Sequence, residues 1–113
     1  MSIEDWSDDI TIAEIGDEPA FSEDMTALMQ RLEERGDVFP DVVLNLSAVT
    51  YLNSSNIAQM LRLRKKLNSA GRHMRICAVG DQVWGVLMIT GLDKIFDFTD
   101  DVTTALASLQ LTE

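Results

Sequence analysis

Near the middle of the chain, Pro40 leads into Asp41-Val42-Val43-Leu44-Asn45-Leu46, a run too continuously apolar for a strand with one wet face. Such a strand needs cover on both sides, so the chain must supply helices to two faces of a sheet. Its flanks read that way. Ile10-Thr11-Ile12-Ala13-Glu14-Ile15 alternates at the strand period, and Gly16-Asp17-Glu18-Pro19 stops it. Ser22 then reads as a helix cap, with Met25, Leu28, Met29 and Leu32 at helical spacing before Gly36.

After the connection Ser47 to Leu52 come four capping residues in a row, Asn53-Ser54-Ser55-Asn56. Ile57, Met60, Leu61, Leu63, Leu67 and Ala70 follow at steps of three and four, which predicts a helix from about Ser54 to Gly71. His73 to Val79 reads as a second buried strand, Gln82 to about Ile89 as a short helix, and Lys94 to Phe98 as a brief strand. Thr99-Asp100-Asp101 caps a last helix carrying Val102, Ala105, Leu106 and Leu109. Residues 1 to 9 are acidic with Trp6 as an isolated apolar anchor; they form an edge strand or stay loosely ordered.

This order predicts an α/β fold: one domain over residues 1 to 113, with a mixed, largely parallel sheet of four to five strands and flanking helices. Functional features of such sheets gather at the carboxyl ends of the strands, and Ser54 follows the central one.

Charge narrows the partners. The formal net charge is −10, which disfavours phosphate-backbone binding and adsorption to an anionic membrane, so a protein partner is expected rather than nucleic acid. Residues 1 to 41 carry thirteen acids against two bases, whereas six of the nine basic residues (Arg62, Arg64, Lys65, Lys66, Arg72, Arg75) lie between 62 and 75. The longest apolar runs, such as Trp84 to Ile89, are far short of the roughly 20 residues of a bilayer-spanning helix, and the acidic start is unlike a signal peptide. A cytoplasmic protein without membrane insertion is the expectation.

Catalytic means are thin. His73 and Cys77 are single, so neither a zinc tetrad nor an intrachain disulfide can be assembled, and no glycine-rich phosphate loop appears. Asp8-Asp9, Glu33-Glu34 and Asp100-Asp101 are adjacent pairs whose side chains point apart. No catalytic residue, metal or cofactor is expected, and the chain reads as a non-enzyme. Ser54 stands out because a hydroxyl at a helix N-terminus is well placed to carry a phosphate of about −1.5 to −2 charge facing free N–H groups.

The segment Val43-Leu44-Asn45-Leu46 through Asn53-Ser54-Ser55 resembles the STAS (anti-sigma factor antagonist) family, where a V-L-D/N-L strand and a short connection precede D-S-S/T-G. Ala70-Gly71-Arg72 and Leu87-Met88-Ile89-Thr90-Gly91-Leu92-Asp93-Lys94-Ile95-Phe96 extend the likeness over residues 41 to 109, and Gly16-Asp17-Glu18 partly echoes the family's G-E-L-D turn. The resemblance implies a partner switch. The domain binds an anti-sigma factor that is also a histidine-kinase-like serine kinase, phosphorylation at the position of Ser54 breaks the complex, and a PP2C-type phosphatase resets it.

On this reading Ser54 is the acceptor and Ser55 a secondary one, with Asn53, Ser54, Ser55, Asn56, Ile57 and Met60 as contact surface. Asn53 stands where the family has Asp, removing a charge, and Asn56 where it has Gly, adding a side chain in a partner's path. The alternative implied by the family is a non-phosphorylated protein-binding subunit of a signalling or transport assembly.

Overall fold

The computed structural model describes residues 2–36 and 38–111. Strands β1 (Ser2–Asp5), β2 (Ile10–Gly16), β3 (Asp41–Ala48), β4 (Met74–Cys77) and β5 (Phe98–Thr99) form one sheet in the order β1-β2-β3-β4-β5. β1 runs antiparallel to β2, and all other pairs are parallel. The helices are α1 (Ala20–Glu34), α2 (Ser54–Ser69), α3 (Asp81–Ile89) and α4 (Val102–Leu111). The sheet thus has the expected mixed, mostly parallel character, and the acidic N-terminal segment is its edge strand.

β3 is central and covered on both faces, as its composition demands. Val42, Leu44 and Leu46 point to one face and pack with Phe21, Met25, Leu28 and Leu32 of α1, Met60, Leu63 and Leu67 of α2, and Val83 and Leu87 of α3. Val43 points to the other, where it meets Ile10, Cys77, and Ala105 and Leu109 of α4. The division of helices, three on one face and one on the other, follows from this two-residue period and right-handed crossovers.

Three boundaries differ from the sequence reading. Ser22 is not the cap of α1: the helix begins two residues earlier behind Pro19, which makes no side-chain cap, and Glu18 accepts from the Ser22 N–H instead. His73–Val79 shortens to Met74–Cys77, with Ala78 at a positive φ of 59° just beyond. The strand expected over Lys94–Phe98 is instead a 3-10 turn (Leu92–Lys94) followed by β5 of two residues. The i→i−4 bond from Phe96 N–H to Leu92 C=O carries both side chains into the core four residues apart, a helical rather than strand period.

α2 ends as Gly71 suggests. Gly71 (φ 73°) and Arg72 return their N–H groups to Asn68 and Leu67, a Schellman closure. Its start positions the site.

Candidate functional site

Four residues with capping side chains compete to start α2, and the backbone selects Asn53. It is extended (φ −100°, ψ 175°), as an N-cap must be, and its Oδ1 accepts from the Asn56 N–H at 2.8 Å. Asn56 answers through its own Oδ1, which accepts from the Asn53 N–H at 3.1 Å, closing a reciprocal capping box. Asn53 and Asn56, the two departures from the family motif, are therefore one structural unit.

Ser54 and Ser55 occupy the first two helical positions. Both are exposed, and neither hydroxyl takes part in a hydrogen bond among the described residues. Their backbone N–H groups precede the first intrahelical bond, Ile57 N–H to Asn53 C=O at 3.1 Å. The result is two free hydroxyls beside two free amides at the positive end of a 16-residue helix.

The β2–α1 loop braces this end. Glu18 accepts from the Ser22 N–H (2.7 Å), the Ser22 hydroxyl (2.7 Å) and the Asn56 side-chain amide (3.2 Å). The Gln59 amide donates to the Ser22 hydroxyl at 3.2 Å, tying the first turn of α1 to the second turn of α2. Asp17 accepts from the Thr50 N–H (2.8 Å) and hydroxyl (2.6 Å), which fixes the connection leading to the site. These bonds hold both carboxyls below their ordinary values: Asp17 mainly through the Thr50 hydroxyl, Glu18 mainly through the Ser22 hydroxyl. The surroundings of the two serines are thus acidic, while the first turn of α2 holds no charge of its own.

Of the expected contact residues, Asn53, Ser54 and Ser55 are exposed and contiguous, and Ile57 is half-buried. Met60 and Asn56 do not belong to the surface. Met60 is 0% exposed and packs in the main core, and Asn56 is 1% exposed, turned inward to Asn53 and Glu18. Asn56 therefore adds nothing in the path of a partner. Tyr51, 47% exposed just ahead of the cap, joins the accessible face instead. Glu18, Ser22 and Gln59 were missed as site elements because their roles depend on two loops meeting at the carboxyl ends of β2 and β3. The pairing of those parallel strands, with the partial G-E-L-D echo at Gly16-Asp17-Glu18, is the signal that points to Glu18.

His73 precedes β4 at the amino end of the sheet, with its N–H donated to Asp41 Oδ1, while Ser54 follows the carboxyl end of β3. A Ser54–His73 pair is thereby excluded by topology. Cys77 is buried, and its thiol is pushed up to about 11, by burial first and then by the charge of Asp101. Among the described residues no group of His, Cys, Asp and Glu is arranged to hold a metal ion, and no helix is long and apolar enough to cross a membrane.

The profile of the STAS domain matches residues 3–105 of this chain. The chain belongs to the STAS domain family. An anti-sigma F factor antagonist of Paenibacillus polymyxa is 31% identical over 70 residues, spanning 62% of this chain and 60% of the relative. The chain thus accounts for somewhat under two thirds of that relative's length. Among solved structures, an anti-sigma-factor antagonist (STAS) domain protein from Planctomyces limnophilus superposes with a TM-score of 0.81 at 16% identity, over 96% of this chain and 97% of the other. An anti-sigma factor antagonist from Mycobacterium paratuberculosis gives 0.73 at 25% identity, over 96% and 92%. The STAS fold is therefore shared across nearly the whole length, and the capped serines of α2 lie within the matched region.

Proposed function

We propose that this STAS domain is an anti-sigma factor antagonist whose binding to an anti-sigma factor kinase is switched by phosphorylation of Ser54. The observation that carries the reading is the division of labour at the start of α2. Asn53 and Asn56 cap the helix, so the exposed Ser54 hydroxyl has no structural task. The names of the relatives from Paenibacillus and Mycobacterium support the same partner class.

In the reaction, Ser54 Oγ attacks the γ-phosphorus of ATP held by the partner kinase. The new O–P bond replaces the one to ADP, and the serine proton passes to a base of the kinase. The product carries about −1.5 to −2 charge beside the Ser54 and Ser55 amides, which accept it without unfolding the helix. Asp17 and Glu18 nearby are hydrogen-bonded carboxylates, and the first turn of α2 offers no cation to pair with the added charge. A packed interface over Tyr51, Asn53, Ser54 and Ile57 would then be broken by desolvation and like charge. A PP2C-type phosphatase would restore the free hydroxyl.

The test is incubation with the cognate kinase and ATP, followed by phosphosite mapping and binding measurements. Phosphate is expected on Ser54. Ser54→Ala should bind the partner as the parent does, and Ser54→Asp should lose about tenfold or more in affinity, which is ~1.4 kcal/mol. An unmodified Ser54, or Ser54→Asp binding as tightly as the parent, would refute the switch. The uncharged Asn53 favours one second reading, a constitutive docking subunit, for which both variants bind alike.

A further inference from the structure

The end of the molecule opposite the serines carries two features that the proposed switch does not use. One is the β1–β2 turn, where Trp6 is 43% exposed within the sequence Glu4-Asp5-Trp6-Ser7-Asp8-Asp9. The turn is held in place by its backbone: Arg35 Nη2 donates to Asp8 C=O at 2.7 Å, and Arg72 Nη2 to Asp9 C=O at 2.9 Å. The Asp8 and Asp9 carboxylates themselves have no hydrogen-bond or ion-pair partner among the described residues, so an aromatic ring is presented in a turn with two directly unpaired carboxylates.

The other is a shallow groove of about 680 Å³ between the C-terminal halves of α1 and α2, lined by Met29, Phe39 and Ala70 together with Arg62, Lys65 and Lys66. Lys66 lies 5.8 Å over the Phe39 ring and pairs with Glu33 at 3.3 Å. Arg62 and Lys65 are exposed and pair with no described residue, which is conspicuous in a chain of net charge −10. Groove and turn share one end of the fold: Ala70 lines the groove, while Gly71 and Arg72 line the hollow beside Trp6.

We propose that this end is a self-association surface, on which the acidic, Trp6-bearing turn of one copy docks into the basic, Phe39-lined groove of a second copy. The chemistry of each half answers the other, an exposed indole for an apolar groove, and two carboxylates for two cations, none of which pairs with a described residue. Tryptophan is the residue type that most often carries the energy of an interface, and it stacks favourably with cations. Both features lie at the same end, so the proposed assembly is a twofold dimer in which the contact is made twice. The serines of α2 remain free at the far end.

The test is sedimentation velocity of the full chain over a wide concentration range, at low and high salt. A concentration-dependent dimer is expected, weakened by salt because exposed charges on each side are screened. Trp6→Ala, at an exposed position outside the core, should raise the dimer dissociation constant about tenfold or more. Asp8→Lys/Asp9→Lys and Arg62→Glu/Lys65→Glu should each be monomeric alone, since each then opposes like charge to like. Mixed one to one, they should form a heterodimer with both contacts restored. A monomeric parent at all concentrations, a dimer indifferent to these substitutions, or failure of the two variants to combine would overturn the proposal.

Discussion

Asn56→Ala separates the capping box from the serines it frames. The buried amide supplies the acceptor for the Asn53 N–H and a donor to Glu18, and its removal leaves that N–H without a partner in a part-buried position. An unsatisfied donor there costs about 1–2 kcal/mol, and the space vacated by the amide adds roughly 1 kcal/mol. Alanine returns about 0.5 kcal/mol through its higher helix propensity. Glu18 keeps its two shorter bonds from Ser22, so loss of the 3.2 Å bond from the amide adds little. The net is a loss of about 2 kcal/mol, which for a chain of 113 residues lowers the melting temperature by roughly 8 °C.

Asn53→Ala should cost about 1 kcal/mol, the usual worth of a cap. Since the two side chains cap reciprocally, the double variant should be less destabilised than the sum of the singles, with a coupling of about 1 kcal/mol. Urea denaturation and thermal melts followed by circular dichroism measure all four proteins. If Asn56→Ala unfolded within about 0.5 kcal/mol of the parent, the Asn56 half of the box could not be contributing to the start of α2.

Three further outcomes follow from the geometry. Met60→Ala should destabilise the fold by about 2–4 kcal/mol through a core cavity while leaving partner affinity of the folded protein unchanged, because Met60 is fully buried; a selective loss of binding would contradict its placement. Asp17 and Glu18 have folded pKa values held below their ordinary 3.8 and 4.5, so the stability they contribute is complete above those values and is lost as pH falls through the lower folded ones. The urea midpoint should accordingly drop on acidification below pH 4.5, and Glu18→Gln should flatten that drop; an unchanged profile would count against the brace. Cys77, buried with its thiol pushed up to about 11, should resist a thiol reagent at mildly alkaline pH until denaturant opens the core, and rapid labelling of the native chain would show otherwise.

The sequence by itself determined the layer plan and the neighbourhood of the site. The unbroken apolar run of β3 required cover on two faces, the helical periods supplied it, and the order of elements put Ser54 beyond the carboxyl end of the central strand. These are local periodicities, which each residue carries with it. Which of Asn53, Ser54, Ser55 and Asn56 caps α2 was not local: it depended on the backbone angles with which the chain leaves the sheet, and on Glu18 arriving from 38 residues upstream to receive the Asn56 amide. Met60 fell on the core side for the same kind of reason, since the rotation of α2 about its axis is set by packing against α1 and the sheet. Only tertiary structure decided that two asparagines do the capping, and in doing so left the hydroxyl of Ser54 exposed, with no hydrogen bond to a described residue.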